Sequence, residues 1–202
     1  MEKDGKIILV GGGGHAVSLC ETFGNQLAGY LAPVPSPHLN IKWLGTDEEA
    51  PVFVQNGFIF HMAFVYAGSP DMMKRESLLR YYKSIDAKFV SLISESAFIS
   101  EHSEIGHGSA ILNRAVINKA QIADNSVVNT GAIIEHDTLI GNNTFIGPGV
   151  VVGGGVNIGD NCFIGLGANL RNGINIASGV TVGMGSIVTK DIISPGVYYG
   201  II

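Results

Sequence analysis

Aliphatic side chains recur at every sixth position through the second half of the chain. A period of six fits neither an α-helix nor an alternating strand. It is typical of hexapeptide solenoids, in which each repeat forms one short strand and one corner. Each coil buries its core only against its neighbours, so many repeats are needed. The aliphatic positions are Ile122, Val128, Ile134, Ile140, Ile146, Val152, Ile158, Ile164, Leu170, Ile176, Val182 and Val188.

The same period starts earlier in the chain, in a different phase. Residues from Ile99 to Ile117 repeat every six positions, but one residue out of step with Ile122. We therefore expect an irregular coil between Ile117 and Ile122. Three repeats make a three-sided coil, in which residues about 18 positions apart stack. A glycine often follows the aliphatic residue, as at Gly141, and should supply the backbone freedom that the corner needs.

A strand, a glycine-rich turn and a helix are predicted at the start of the chain. The residues KIILV end at Val10, the run Gly11–Gly14 follows, and a helical segment continues after His15. This order is typical of the opening of a nucleotide-binding βαβ unit. Glycine lets the backbone approach a phosphate, and free N–H groups at the helix start face the anion. A tight turn that binds no ligand is the alternative.

Two further strands and a helix complete the predicted α/β part. Residues 57–66 read as a buried parallel strand, 71–83 as a helix, and 89–93 as a last strand that leads into the repeats. Ligands bind at the carboxyl ends of parallel strands, so Gly68 is a candidate to approach one. An NAD site would need an acidic residue after strand 29–31, where Ala32 stands instead.

Composition excludes several classes of protein. The chain is 46% hydrophobic and 14% charged with a net charge of −5. It is too apolar for a disordered protein and not basic enough to indicate nucleic-acid binding. No apolar run reaches the roughly 20 residues of a membrane span, and the N-terminus is not a secretory signal. Cys20 and Cys162 are far apart, so we expect unpaired thiols and a cytoplasmic protein, with Cys162 in the core.

The strongest chemical signal is a departure from the repeat. In the segment NTGAIIEHD, Glu135 stands where glycine is usual, and His136 and Asp137 follow it. His136 should point outward, and Gly154, one coil further on, leaves space beside its ring. A carboxylate bonded to one ring nitrogen makes the other a better general base. A solvated surface histidine is the alternative, and a zinc site is disfavoured because adjacent strand residues diverge.

The segments KIILVGGGGHA and NTGAIIEHD together resemble one family of left-handed β-helix acyltransferases. This is the sialic acid O-acetyltransferase and nucleotide-sugar N-acetyltransferase family, and the resemblance covers nearly the whole chain. It implies a Rossmann-like nucleotide-sugar-binding domain at residues 1–94. It also implies a left-handed parallel β-helix at 95–202, which forms a homotrimer and binds acetyl-CoA between subunits.

The resemblance also assigns roles to individual residues. It implies that His136 is the catalytic base and that Asp137 supports it. The substrate-binding positions that it implies are Gly12, Gly13, Gly14, His15, Gly68 and Asn129. The coenzyme positions are Phe145 and Leu166, and Gly154 is added because a backbone N–H of a glycine near it is expected to bind the oxyanion. No metal is expected.

The predicted function is therefore acetyl transfer from acetyl-CoA to the amino group of a nucleotide-linked amino-deoxy sugar, such as a 4-amino-4,6-dideoxy sugar, in surface glycan biosynthesis. Transfer would be direct, without a covalent enzyme intermediate. O-acetylation of a sialic-acid-like sugar is the alternative within enzymes. A non-catalytic β-helix, either a scaffold or a carbonic anhydrase-like metal protein, is the alternative of another class.

Overall fold

The chain forms two compact units: the first contains residues 6–65 and 73–90, and the second contains residues 91–202 together with residues 69–72. The computed structural model describes residues 6–65 and 69–202. No helix in these ranges is both long enough and apolar enough to cross a membrane. Each unit has its own hydrophobic core. The functional division at residue 94 stays a prediction.

The first unit is a three-stranded parallel sheet with short helices. The strand order is β2-β1-β3, and β1 is fully buried. Because both pairings are parallel, β1 and β3 end at the same edge of the sheet. The elements are β1 (Ile7–Val10), α1 (Gly14–Phe23), a 3-10 turn (Gly24–Gln26), β2 (Leu27–Leu31), a second 3-10 turn (Asp47–Glu49), α2 (Ala50–Gln55), β3 (Ile59–Met62) and α3 (Ser69–Ser84).

The predicted strand over residues 89–93 is divided between the two units. Phe89 makes a single parallel bridge to Phe60 in the first unit. Leu92 and Ile93 instead pair with Ala110 and Ile111, as the first rung of the repeats. The apolar run 89–93 is therefore not one strand: its first residue pairs within the first unit and its last two pair within the second.

The second unit is a left-handed parallel β-helix with three flat faces. Face 1 consists of β4 (Leu92–Ile93), β7 (Ala110–Ile111), β10 (Val127–Val128), β13 (Phe145–Ile146), β16 (Phe163–Ile164), β19 (Val180–Val182) and β21 (Gly196–Tyr198). Face 2 consists of β5 (Phe98–Ile99), β8 (Val116–Ile117), β11 (Ile133–Ile134), β14 (Val151–Val152), β17 (Asn169–Leu170) and β20 (Ile187–Val188). Face 3 consists of β6 (Glu104–Ile105), β9 (Gln121–Ile122), β12 (Leu139–Ile140), β15 (Asn157–Ile158) and β18 (Asn175–Ile176).

Three corners join the faces, and each is a column of stacked turns. Corner A joins face 1 to face 2 and includes residues 129–132, 147–150 and 165–168. Corner B joins face 2 to face 3 and includes residues 118–120, 135–138 and 153–156. Corner C joins face 3 to face 1, for example at residues 141–144.

The six-residue period marks the inward positions as predicted. Ile134, Ile146 and Val152 are fully buried in a core that runs through the coils. Cys162 is also fully buried, which confirms its expected place in the core. Strands one coil apart pair in register, as Val128 does with Ile146. The sequence period therefore becomes a continuous aliphatic column inside the helix.

The irregular coil lies where the phase of the repeat predicted it. Strand β8 begins at Val116 and β9 at Gln121, five residues later rather than six. Across this point Val116 pairs with Ile133, an offset of 17 positions, while Val127 pairs with Phe145, an offset of 18. The missing residue belongs to corner B, which here has only residues 118–120.

The expected role of the repeat glycines is wrong in one respect. Gly141 and Gly153, directly after the aliphatic residues, do not have positive φ. They are needed because a Cβ at Gly141 would lie 2.5 Å from the carbonyl carbon of Gly159 in the next coil. The left-handed conformation falls two residues later, on Asn143 (φ 53°) and Gly155 (φ 69°). Close stacking, not backbone freedom, selects the first glycine.

We expect Ile164→Ala to lower the free energy of unfolding by about 2–5 kcal/mol, because it leaves a cavity in a close-packed core. Ile164 is fully buried, whereas Leu139 points outward and is 45% exposed. Leu139→Ala is the matched control and should cost less than about 1 kcal/mol. Urea denaturation followed by circular dichroism measures both, and equal losses would contradict the assigned inward and outward positions.

Candidate active site

The glycine run after β1 combines two tight positions with two open ones. Gly11 has a φ of 114°, and a Cβ there would lie 2.9 Å from the amide nitrogen of Phe64. A Cβ at Gly12 would press on the ring of Tyr30 at 3.1 Å. Gly13 and Gly14 have no neighbouring atom within 4 Å of such a Cβ. The start of α1 is therefore bare backbone, with free space around it.

Two histidines lie near this turn: His61 is fully buried, and the ring nitrogens of the half-buried His15 are also shielded from solvent. The Nδ1 atom of His61 lies 2.9 Å from the Val90 carbonyl oxygen, to which it donates. Arg75 reaches towards the same region and donates from Nε to the Phe64 carbonyl oxygen, at 2.8 Å. Burial, followed by the charges of His61 and Arg75, lowers the pKa of His15 to about 3. Burial also lowers the pKa of His61 to about 4. Both rings are therefore neutral at pH 7.

Gly68, predicted to approach a ligand, lies outside the described residues. The roles of Gly12, Gly13, Gly14 and His15 in substrate binding stay predictions.

His136, Asp137 and Lys119 form a chain of contacts on corner B. Nδ1 of His136 lies 3.0 Å from Oδ2 of Asp137, and Oδ1 of the same carboxylate lies 3.0 Å from Nζ of Lys119. The side chains of His136 and Asp137 are 61% and 58% exposed. The hydrogen bond from His136, followed by the one from Lys119, lowers the pKa of Asp137. The ring nitrogen Nε2 is left open for other chemistry.

Gly154 lies beside the open nitrogen of His136. A Cβ at this position would lie 2.7 Å from Nε2. The amide of Gly155 donates to the carbonyl oxygen of His136, and the amide of Gly153 donates to Leu170. Among the described residues, the Gly154 amide has no hydrogen-bond acceptor. Within the described residues, the turn that stacks against His136 therefore contains a backbone donor without an acceptor.

The other predicted site residues lie on a different edge of the β-helix. Asn129 is buried at corner A, where its side-chain oxygen accepts from the Thr130 amide at 2.7 Å. Leu166 lies on the same corner, two coils later, and is 57% exposed. Phe145 is on the outer side of face 1, stacked on Phe163 with ring centroids 5.0 Å apart. Face 2 separates this group from His136 within one chain.

The structure adds residues that the sequence reasoning did not select. Lys119 binds Asp137, and Asn118 donates to Oε2 of Glu135 at 3.1 Å. The phase slip between Ile117 and Ile122 pointed to this turn, but no chemistry was assigned to it. Within the described ranges, no group of three His, Cys, Asp or Glu side chains could hold a metal ion.

Comparison with protein families identifies the repeats. A model described as bacterial transferase hexapeptide (six repeats) matches residues 119–154 and 137–172. A model described as hexapeptide repeat of succinyl-transferase matches residues 155–190. Among curated protein sequences, none matches the chain significantly.

Three solved structures are similar over almost the whole chain. PerB from Caulobacter crescentus, in complex with CoA and GDP-perosamine, has a TM-score of 0.87 and 28% identity, covering 96% of this chain and 93% of its own. The acetyltransferase domain of PglB from Neisseria gonorrhoeae, in complex with acetyl coenzyme A, has a TM-score of 0.84 and 26% identity, covering 96% and 95%. WeeI from Acinetobacter baumannii, at 22% identity, 96% coverage of both chains and a TM-score of 0.80, shares the fold.

His15 and His61 make the first unit sensitive to acid. Their folded pKa values lie below the ordinary histidine value of 6.5, so an unfolded chain binds more protons. Stability from this source is complete above about pH 6.5 and falls by about 1.4 kcal/mol per pH unit for each histidine as the pH drops towards 4. We expect the urea midpoint, followed by the fluorescence of the single tryptophan, Trp43, to fall over this range.

Replacing His61 should make that decline less steep, because one of the two protons is no longer taken up. His61→Gln is therefore compared with His38→Gln, which alters an exposed histidine of the same unit. A steep decline that is the same in both variants would contradict the assignment.

Proposed function

We propose that this chain, a hexapeptide-repeat acyltransferase, transfers the acetyl group of acetyl-CoA to the amino group of a nucleotide-linked amino sugar. The observation that carries the proposal is the pairing of His136 with Asp137 beside the open backbone of Gly154. The likeness to PerB and to the PglB domain supports the coenzyme and the class of acceptor. We further propose that the acceptor is a 4-amino-4,6-dideoxy sugar, that the reaction serves surface glycan biosynthesis and that the protein is cytoplasmic.

His136 acts as the general base in this mechanism. Asp137 accepts a hydrogen bond from Nδ1, which places the lone pair on Nε2 and holds the ring in one tautomer. The sugar amine attacks the thioester carbonyl carbon while Nε2 takes a proton from the nitrogen. Collapse of the tetrahedral intermediate breaks the carbon–sulfur bond, and the thiolate of CoA takes the proton held on Nε2, which restores the neutral base. No covalent enzyme intermediate forms.

The Gly154 amide is proposed as the oxyanion donor. Its neighbours Gly153 and Gly155 both use their amides in the backbone ladder, whereas the Gly154 amide has no acceptor among the described residues. A donor that is already oriented stabilises the developing charge without reorganisation. Holding both substrates at this turn supplies a further part of the rate gain.

The nucleotide is proposed to bind at the glycine run of the first unit. Open space around Gly13 and Gly14 leaves the N–H groups at the start of α1 accessible to a diphosphate. This is a common way for a helix N-terminus to bind an anion. His15 is the second residue of α1 and is neutral, so it can take part in hydrogen bonds without repelling Arg75.

A homotrimer is proposed because the two parts of the coenzyme site lie on different edges. His136 and Gly154 are on corner B, whereas Leu166 and Phe145 lie at corner A and face 1. Packing one copy against another can bring corner B of the first next to corner A of the second. Closed symmetry makes such a contact repeat around the ring. Most outward residues of face 2, among them Ile133 and Val151, are apolar and suit such packing, whereas Asn169 is polar.

We expect His136→Ala to lower turnover by about 10²–10⁴-fold, the usual contribution of a general base. His102→Ala is the matched control, because His102 lies exposed on the same corner and contacts only Glu101 among carboxylates in the described residues. The assay is thiol release from acetyl-CoA with a panel of nucleotide-linked 4-amino-6-deoxy sugars, beside free sialic acid. Near-normal turnover of His136→Ala would remove His136 from the mechanism, and release with sialic acid alone would assign O-acetylation.

A site shared between subunits predicts complementation. His136→Ala and Leu166→Asp are each expected to be nearly inactive, because each removes one half of the site. Co-expressed, they should regain activity at up to about a quarter of the sites if subunits assemble at random. Sedimentation of the mixture measures the oligomer. A trimer without regained activity would place both halves of the site in one subunit.

A further inference from the structure

The turn that stacks against His136 is built with one residue fewer than the turn that carries it. Between β8 and β9 there are three corner residues, Asn118, Lys119 and Ala120, whereas four lie between β11 and β12. Asn118 stacks on Glu135 and donates to it from its side chain. Lys119 alone therefore stands where the next coil has the pair His136 and Asp137.

Lys119 contacts Asp137 through both its backbone and its side chain. Its carbonyl oxygen accepts from the Asp137 amide at 2.8 Å. This is the bond that a residue in the position of His136 makes in a regular coil, as His136 itself does with Gly155. Lys119 also has the positive φ (50°) that a residue in the position of Asp137 has in a regular coil. Lys119 therefore combines the backbone hydrogen bond of the His136 position with the positive φ of the Asp137 position. Its Nζ atom lies 3.0 Å from Oδ1 of Asp137.

The carboxylate of Asp137 then has one partner on each oxygen. Oδ1 is bound by Lys119 and Oδ2 by Nδ1 of His136. A carboxylate held at both oxygens cannot rotate without breaking a contact. The direction of the bond to Nδ1, and with it the orientation of the ring over Gly154, is thereby restrained.

We propose that Lys119 is a positioning residue for His136, acting through Asp137, in the acetyl transfer proposed above. It contacts Asp137 through the ammonium and through the backbone carbonyl. Its role is to orient the carboxylate and to balance part of its charge. The inference rests on the proposed function only for its effect on turnover, since the contacts exist in the protein alone.

Other charged side chains also lie on corner B, and the experiment must distinguish their electrostatic effect on His136 from that of Lys119. Glu135 is next to His136 and is bound by Asn118. In the coil before Lys119, Glu101 pairs with His102. Beyond the glycines, Arg171 lies one coil after Gly153, and Lys190 lies a further coil on. Lys190 is exposed on the same corner and therefore serves as a control cation.

Removing the ammonium should have two effects on the reaction. Without Lys119 the carboxylate is a stronger partner for the protonated ring, so a higher pH is needed to obtain the neutral base. The acid limb of the pH–rate profile should move upward by about 0.2–0.7 pH units, the effect expected for an exposed ion pair. The less restrained carboxylate should also lower the plateau of kcat with little change in KM.

The test compares Lys119→Met, Lys119→Arg and Lys190→Met in the full chain. The proton–nitrogen NMR signals of the His136 ring are followed against pH, with His136→Ala identifying them. We expect the titration midpoint to rise in Lys119→Met, to return towards the parent value in Lys119→Arg, and to stay unchanged in Lys190→Met. The same midpoint in Lys119→Met and Lys190→Met would overturn the proposal.

The ring titration needs neither acetyl-CoA nor sugar, so it separates this inference from the proposed function. A moved midpoint in a protein that transfers no acetyl group supports the positioning role and contradicts the proposed reaction. A moved midpoint together with a matching shift of the pH–rate profile supports both. An unmoved midpoint with active enzyme leaves the reaction standing and overturns the role of Lys119.

Discussion

The stacking register of the coils is the constraint on which the second unit depends. In the middle coils, each inward aliphatic side chain is buried by the coil before it and the coil after it, as Ile146 is between Val128 and Ile164. No coil could bury its core alone, and the stability of such an array comes from contacts between neighbours. Small side chains in the corners belong to the same constraint. The hydroxyl of Thr144, for example, accepts from the amide of Cys162 and donates to the carbonyl of Gly159.

The same register converts sequence distance into proximity at the candidate site. Gly154 comes beside His136 because they are one coil apart, and Lys119 reaches Asp137 for the same reason. The shortened turn changes the register directly next to the histidine. The chemistry of corner B thus depends on where a residue is absent from the repeat as well as on which residues are present.

Much of this could be predicted because a strict period carries structural information. The inward column, the burial of Cys162 and the irregular coil all follow from counting in sixes. The close approach at Gly141 could not be predicted, because it depends on the height of the next coil. Residues 89–93 have the composition of one strand, and nothing local shows that Phe89 and Leu92 serve different cores. Lys119 was missed because its partner is 18 residues away and exposed lysines are common.

The backbone conformation of Asp137 at corner B bears on how such a site can arise. Asp137 occupies a left-handed position (φ 59°), where the equivalent residues of other coils are mostly glycine or asparagine. Aspartate tolerates this conformation better than most residues with a Cβ. The scaffold therefore accepts a carboxylate there with little strain, and a single change at Asn125, Asn143 or Asn161 could introduce one at corner C. A repeated backbone of this kind offers many equivalent places for a new acid–base pair, and selection needs only to retain one.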